Sequence, residues 1–510
     1  MSKELFELIK SLSKQEKRHF KLFAQRHRIG SEIISIKLFD AIASQKEYND
    51  QTLKIKFLKT GFSVHFAVTK HNLFYLILKS LNAYNTDVNR ELDELIHSIN
   101  ILYNKQLFHT CKKLLLKAKK IAVNLEKWER LIELEQIEGK IHLSDFDMKQ
   151  FKSFAESSYL NKKSAIQKIE NVSDYRLLYY RIMTRMGKSD MTRKKSELTG
   201  YKKITRNKLF KNEHYAKSLN ARYYFYASRY FYYRAIGNLQ ENYSYQLKMV
   251  EFLEKYPQFI RQDNQKYIAA LNNLIIAQTQ LKLFDQALIT VYKLREMISK
   301  YKLPSTFDLK MRIFTRSYHS ELQIYILVGE FSKGIKIAHH IEEGLKKFFR
   351  KIGIEYQIMF YYQLFYVYFG NEQYSKALHF LNKVLSHKQI INLPEVNSIA
   401  RITNLILHYE IGNFDLLEHV VRAVKRNLEL SNRLFKVESA LLKFIRKEAV
   451  QEETQQSFLE LKKEIENIIQ DPFEKKILEY FDFISWIESK IENRQFAEVV
   501  RSRLRTDSAF

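Results

Sequence analysis

The sequence predicts an all-α protein, an α-solenoid of antiparallel helix pairs with a period of about 40–47 residues and a small helical cap at its N-terminus. Three observations carry this. Only 12 Gly and 4 Pro occur among 510 residues, too few for the frequent turns of a β protein or of βα loops. Apolar residues recur at the helical period of 3.6 along most of the chain. A short polar turn with one local pattern recurs at near-constant intervals.

The cap comes first. Residues 1–88 do not follow the repeat. Ser13 and Glu16 have the spacing of a capping box and open a helix running to about Arg26. Helices are expected over Glu32–Ser44, Asn49–Lys59 and Val64–Leu81, with Gly61 in the turn between the last two. That last pair could be read as a helix-turn-helix. The second helix, HFAVTKHNLFYLILKSL, is apolar over most of its surface, which suits a core better than a DNA groove.

Residues 89–510 carry the repeat, about nine to ten helix pairs. Each turn is followed by an aromatic residue or Leu, then three positions later by a small or apolar residue. The instances are Gln106 before Phe108 and Cys111; Gly237 before Leu239 and Asn242; Lys282 before Phe284 and Ala287; Gly329 before Phe331 and Gly334; Glu372 before Tyr374 and Ala377; Gly412 before Phe414 and Leu417; and Arg494 before Phe496 and Val499. Apolar stripes run on both sides of each turn, such as Tyr318, Leu322 and Tyr325 before Gly329 and Ala338 and Ile341 after it. The small residue lets the paired helices approach closely. Three less regular pairs fill the wider gaps: Trp128–Leu143 with Lys149–Ile169, Asp174–Met186 with the basic stretch to Ile204, and Phe435–Phe444 with Phe458–Ile469. Pro257, Pro304, Pro394 and Pro472 fall between units, where proline is tolerated.

The segments GEFSKGIKIA, EQYSKALHFL and KLFDQALITV resemble the tetratricopeptide repeat, clearly over residues 220–425 and more weakly elsewhere. The period departs from the standard 34 residues. It implies longer helices and an irregular superhelix. The start, LSKQEKRHFKLF, and the end, EYFDFISWIESKIENRQFAEVV, also resemble the two ends of an uncharacterised bacterial family of long helical-repeat proteins, a resemblance that supplies no function.

Composition narrows the function classes. With 32 Tyr and 36 Phe the chain can bury large cores. A single cysteine excludes a disulfide scaffold and Cys-rich zinc sites. Cys111, inside CKKLLLKAKK, reads as a small buried residue and fits a reducing cytoplasm. The first 20 residues mix charge with apolar side chains and lack the apolar stretch of a signal peptide. No window reaches the ~18 apolar residues of a membrane span. Localisation is therefore expected to be cytoplasmic.

The net charge is +28. Lys outnumbers Arg 58 to 27, a bias that A/T-rich codons produce by themselves. The charge is nonetheless uneven: +5 over residues 1–30, +6 over 105–127, +9 over 181–217 and −6 over 451–498.

No enzyme signature is found, and no cofactor or metal is expected. Gly187-Lys188-Ser189 lacks the upstream glycine and the preceding strand of a phosphate loop. His142, Asp145 and Asp147 span a helix end without a further ligand. His339-His340 before Glu342-Glu343 lacks HExxH spacing.

The expected function is that of a non-catalytic scaffold holding a protein or peptide partner in the solenoid groove. In tetratricopeptide-like repeats the first helix of each pair lines that groove. Carried over, the resemblance implies a lining of Tyr224, Phe231 and Arg234; Asn272, Asn273, Ile276 and Thr279; Arg316, His319 and Gln323; and Tyr362, Tyr366 and Phe369. Amides would hold a peptide backbone and aromatic pockets its anchors. The family's dicarboxylate clamp is matched only at Asn273, so chaperone-tail binding is not supported. The competing reading of Tyr362 and Tyr366 is core packing, because FYYQLFYVYF is apolar on nearly every face. The alternative function is nucleic-acid association through the basic 181–217 segment, with Arg193, Lys194, Lys195, Lys202, Lys203 and Arg206 beside the aromatic run RYYFYASRYFYYR.

Overall fold

The computed structural model describes residues 2–26, 32–58, 66–84, 88–144, 148–186, 201, 204–349, 351–448 and 455–507. Among them every regular element is a helix and none is a strand. The chain divides into two compact units, Met1–Gly237 with Glu251–Asn264, and Asn238–Val250 with Gln265–Phe510.

In the first unit, helices Ser2–Ser11, Lys14–Arg26, Glu32–Ser44, Asp50–Leu58 and Phe66–Tyr84 surround a core of Leu5, Ile9, Phe20, Phe39, Ile42, Leu73 and Ile77. The capping box forms. Ser13 N–H donates to Glu16 Oε2 at 2.6 Å, and Glu16 N–H donates to Ser13 Oγ at 3.2 Å. The repeat follows as Val88–Asn104, Phe108–Asn124, Trp128–Ser144, Met148–Met186 and Leu219–Ala235, each of the first four packing on the next of these helices. One expectation is corrected here. No break separates Ile169 from Asp174, and a single 39-residue helix spans both. The interval holds neither Gly nor Pro. Its polar residue, Asn171, serves the tertiary structure instead, donating to Tyr215 O at 3.0 Å and accepting from Lys217 N–H at 2.9 Å.

The second unit is an α-solenoid. From Phe284–Lys300 through Phe307–Leu327, Phe331–Phe348, Ile354–Gly370, Tyr374–Leu385, Pro394–Ile411, Phe414–Leu430, Lys436–Glu448, Gln455–Ile468, Phe483–Ile491 and Phe496–Asp507, each helix packs on the next. First helices of successive pairs also touch: Phe307–Leu327 lies on Ile354–Gly370, and Pro394–Ile411 on Lys436–Glu448.

The repeating turn has one geometry. Gln106, Gly237, Lys282, Gly329, Glu372 and Gly412 have φ of 60°, 75°, 58°, 70°, 58° and 80°. At the last turn the left-handed residue is Asn493, at 49°, rather than Arg494. The residue after it reaches back five positions: Leu107 N–H to Leu102 O at 3.0 Å, Leu283 to Gln278 at 2.8 Å, Glu330 to Tyr325 at 2.9 Å, Gln373 to Tyr368 at 2.9 Å and Asn413 to His408 at 3.0 Å. These are Schellman closures, which satisfy carbonyls orphaned at the helix end. The small residue after the turn has a steric cause at Gly334, where a Cβ would lie 2.9 Å from both Val367 methyl groups. A side chain at left-handed φ is strained, so Glu372→Gly is expected to raise stability by about 0.5–1 kcal/mol. Chemical denaturation followed by circular dichroism checks this, and an unchanged midpoint would show that the turn is not strained.

Candidate functional site

The aromatic run of Leu219–Ala235 is held firmly at its start. Ser218 is extended (φ −152°, ψ 165°), and its Oγ accepts from Ala221 N–H. The Glu126 carboxylate accepts from Leu219 N–H at 2.6 Å, Asn220 N–H at 2.9 Å and Asn220 Nδ2 at 3.0 Å. A carboxylate on a helix N-terminus is favourable through both hydrogen bonds and the helix dipole. The anchored helix buries Ala221, Phe225, Ser228 and Tyr230 and leaves Tyr224, Phe231 and Arg234 half-buried.

Tyr224 and Phe231 both meet Tyr179 of the long helix, with ring centroids 5.6 and 5.7 Å away. The Arg176 guanidinium lies 5.5 Å from the Tyr224 ring, within cation–π range. Beside them Tyr180 is 51% exposed. Burial pushes the Tyr179 and Tyr223 hydroxyls above their ordinary pKa, so both stay protonated donors. Arg229 is used structurally. It donates to Lys211 O at 2.8 Å and covers the Phe210 ring at 4.4 Å.

Of the basic candidates, Arg206 is exposed, while Arg193, Lys194, Lys195, Lys202 and Lys203 lie outside the described residues, as do Gly187-Lys188-Ser189, Asp145 and Asp147. His142 packs on Phe154 at 4.8 Å. Among the described residues no cluster of three metal-ligating side chains occurs.

In the second unit Asn272 and Asn273 are half-buried on Asn264–Gln280. His319 and Gln323 share a partner, Gln363. Its Nε2 donates to Gln323 Oε1 at 3.0 Å and to His319 O at 3.2 Å, and its Oε1 lies 2.9 Å from His319 Nδ1. An amide oxygen only accepts, so the tautomer with the proton on Nδ1 fits. Burial holds the His319 pKa below its ordinary value, and the neutral ring stands edge-on to Tyr356 and Phe360.

Tyr362, Tyr366 and Phe369 do not line an open groove. They are 4%, 7% and 2% exposed. The chain's own C-terminal segment covers them. Tyr362 OH donates to Tyr480 O at 3.3 Å, and Tyr366 OH accepts from Asp482 N–H at 2.9 Å. Phe481 stacks on Tyr366 at 4.9 Å, and Phe496 lies 5.7 Å from Phe369 and 5.6 Å from Phe331. Arg501 reaches Gly329 O at 3.2 Å. The physical reason is that a helix apolar on every face must be covered on every face. The covering segment is rich in the aromatics that can do it: Phe481, Phe483, Trp486 and Phe496.

That segment is anchored by a buried charge. Glu410, whose side chain is 5% exposed, accepts from Trp486 Nε1 at 2.7 Å, Lys490 Nζ at 2.6 Å and Tyr374 OH at 3.1 Å. A recess of about 660 Å³ opens beside it. Held by these three donors, Glu410 is a structural carboxylate rather than a free base.

Sequence reasoning missed Glu126, Tyr179 and Glu410. Only Tyr179, in the doublet before Arg181, carried a local signal. The fold and its surfaces define an all-α helical-repeat protein. No protein-family model matches the chain, and no curated protein matches it.

Proposed function

We propose that the chain is a non-catalytic, tetratricopeptide-like interaction protein that takes a protein or peptide partner on the face formed by Tyr180, Tyr224 and Phe231, with Arg176 and Arg234 at its margin. The supporting observation is that these rings, joined through Tyr179, keep exposed surface while the tyrosines of Ile354–Gly370 are covered. Rigid aromatics beside arginines are the usual anchors of protein interfaces. A cytoplasmic setting accords with the single thiol, Cys111, being reduced and buried.

Affinity purification with mass spectrometry, with and without nuclease, tests the reading. Tyr180→Ala with Tyr224→Ala should remove nuclease-resistant partners at least tenfold while the circular dichroism spectrum is unchanged. Partners retained by the double variant would refute it. A second reading, single-stranded nucleic acid, is favoured by Arg176 over the Tyr224 ring and by exposed Arg206. It requires binding that falls steeply between ~50 and ~200 mM salt, and a gel-shift showing nothing at low salt would exclude it.

A further inference from the structure

The loops joining successive helix pairs of the second unit, and the residues beside them, carry several well-exposed apolar side chains. Phe349 follows Phe331–Phe348, Ile391 precedes Pro394–Ile411, Leu430 and Phe435 flank the next connection, and Phe473 lies in the one after. They are 49%, 76%, 77%, 49% and 68% exposed. Antiparallel pairing puts all four connections on one edge, opposite the turns at Gly329, Glu372, Gly412 and Asn493. The contacts link them in sequence. A cleft of about 530 Å³, with Arg312, Arg316, Gly353 and Leu393 among its lining, joins the first connection to the second. An Arg433–Glu395 ion pair at 3.0 Å joins the second to the third. Glu474, accepting from Lys436 N–H at 3.2 Å and Val437 N–H at 3.3 Å, joins the third to the fourth.

The same edge carries cations. Arg312, Arg316, Lys388, Lys436, Lys475 and Lys476 have no ion-pair partner among the described residues. The acids there are mostly engaged. Glu395 pairs with Arg433, Glu474 caps a helix, and Asp471 accepts from Phe473 N–H at 2.9 Å. Backbone hydrogen bonds leave Glu474 and Asp471 charged, so with Glu355 and Glu479 four carboxylates stand against these six cations, and the edge keeps a positive excess.

We propose that this edge docks on an anionic membrane surface, the loop tips entering the headgroup region and the cations facing lipid phosphates. A protein-binding hot spot is contiguous and packed at its centre. Here the exposed apolar tips are spread over four successive connections, each within a few residues of a cation. That pattern suits a fluid interface which every tip can enter independently. No helix of the described residues is long and apolar enough to cross a membrane, so the association is peripheral.

Co-sedimentation of the full chain with vesicles tests it. At ~0.1 M salt the protein should pellet with vesicles one-third phosphatidylserine and two-thirds phosphatidylcholine, and at least tenfold less with phosphatidylcholine alone. The triple variant Ile391→Ser, Leu430→Ser, Phe473→Ser should cut binding to the anionic vesicles about tenfold with an unchanged thermal melt, since all three side chains are exposed. Wild-type protein left in the supernatant overturns the proposal. Equal binding by the triple variant also overturns it, and assigns the attraction to basic segments elsewhere. Loss of self-association in the triple variant, without vesicle binding by either protein, assigns the edge to a protein contact instead.

Discussion

Trp486→Ala should be among the most damaging single substitutions in the second unit. The side chain is 1% exposed and sits edge-on to Tyr409, Phe444 and Phe458 at 6.1, 6.5 and 6.0 Å. Removing a buried indole costs about 3–5 kcal/mol in lost burial and cavity. The same change strips Glu410 of its 2.7 Å indole donor, and a buried carboxylate short of a partner costs about 1–3 kcal/mol more. Trp486→Phe helps to separate the two contributions, because it keeps most of the ring volume while losing the donor. Urea denaturation should show a large loss for alanine and an intermediate one for phenylalanine. A cost below about 1 kcal/mol for alanine would mean that the C-terminal segment does not close this core.

The second large effect depends on pH. Glu438 is 7% exposed in the first turn of Lys436–Glu448. Burial raises its pKa from 4.5 to about 7, the neighbouring Glu474 adds to the rise, and the backbone and Arg433 oppose it. The folded state therefore binds this proton more tightly than the unfolded chain. Its stabilising contribution is complete below the unfolded pKa near 4.5 and is lost as pH rises through the folded value near 7. At pH 8 the buried carboxylate costs about 3 kcal/mol. Glu438→Gln should remove this dependence, matching wild type near pH 4.5 and exceeding its stability by up to about 3 kcal/mol at pH 8. Parallel denaturation curves at the two pH values check it, and profiles that superimpose for the two proteins would show that Glu438 is already solvated.

What the sequence made legible was local. The turns at 106, 237, 282, 329, 372 and 412 each have a left-handed residue, followed two positions on by an aromatic residue or Leu, and each appears where the spacing put it. Prolines 257 and 394 begin helices, and 304 and 472 lie between them. Two features were not legible. The continuity of Met148–Met186 depended on Asn171 finding partners at Tyr215 and Lys217, a long-range contact with no periodic trace. The covering of Tyr362, Tyr366 and Phe369 depended on contacts more than a hundred residues apart. The run FYYQLFYVYF announces that every face must be buried, but not which segment buries the fourth face. The candidate site divided accordingly: Tyr224 and Phe231 keep exposed surface, whereas the tyrosines of Ile354–Gly370 became core.

Residues 480–500 cover Tyr362, Tyr366 and Phe369 and close the core of the second unit. Fluorescence of Trp486 tests it directly. The chain has two tryptophans, Trp128 and Trp486, so a Trp128→Phe variant reports Trp486 alone. A ring 1% exposed predicts blue-shifted emission nearly unquenched by acrylamide until the unit unfolds. Red-shifted emission, quenched under native conditions as readily as free tryptophan, would mean that the segment is released and the groove is open.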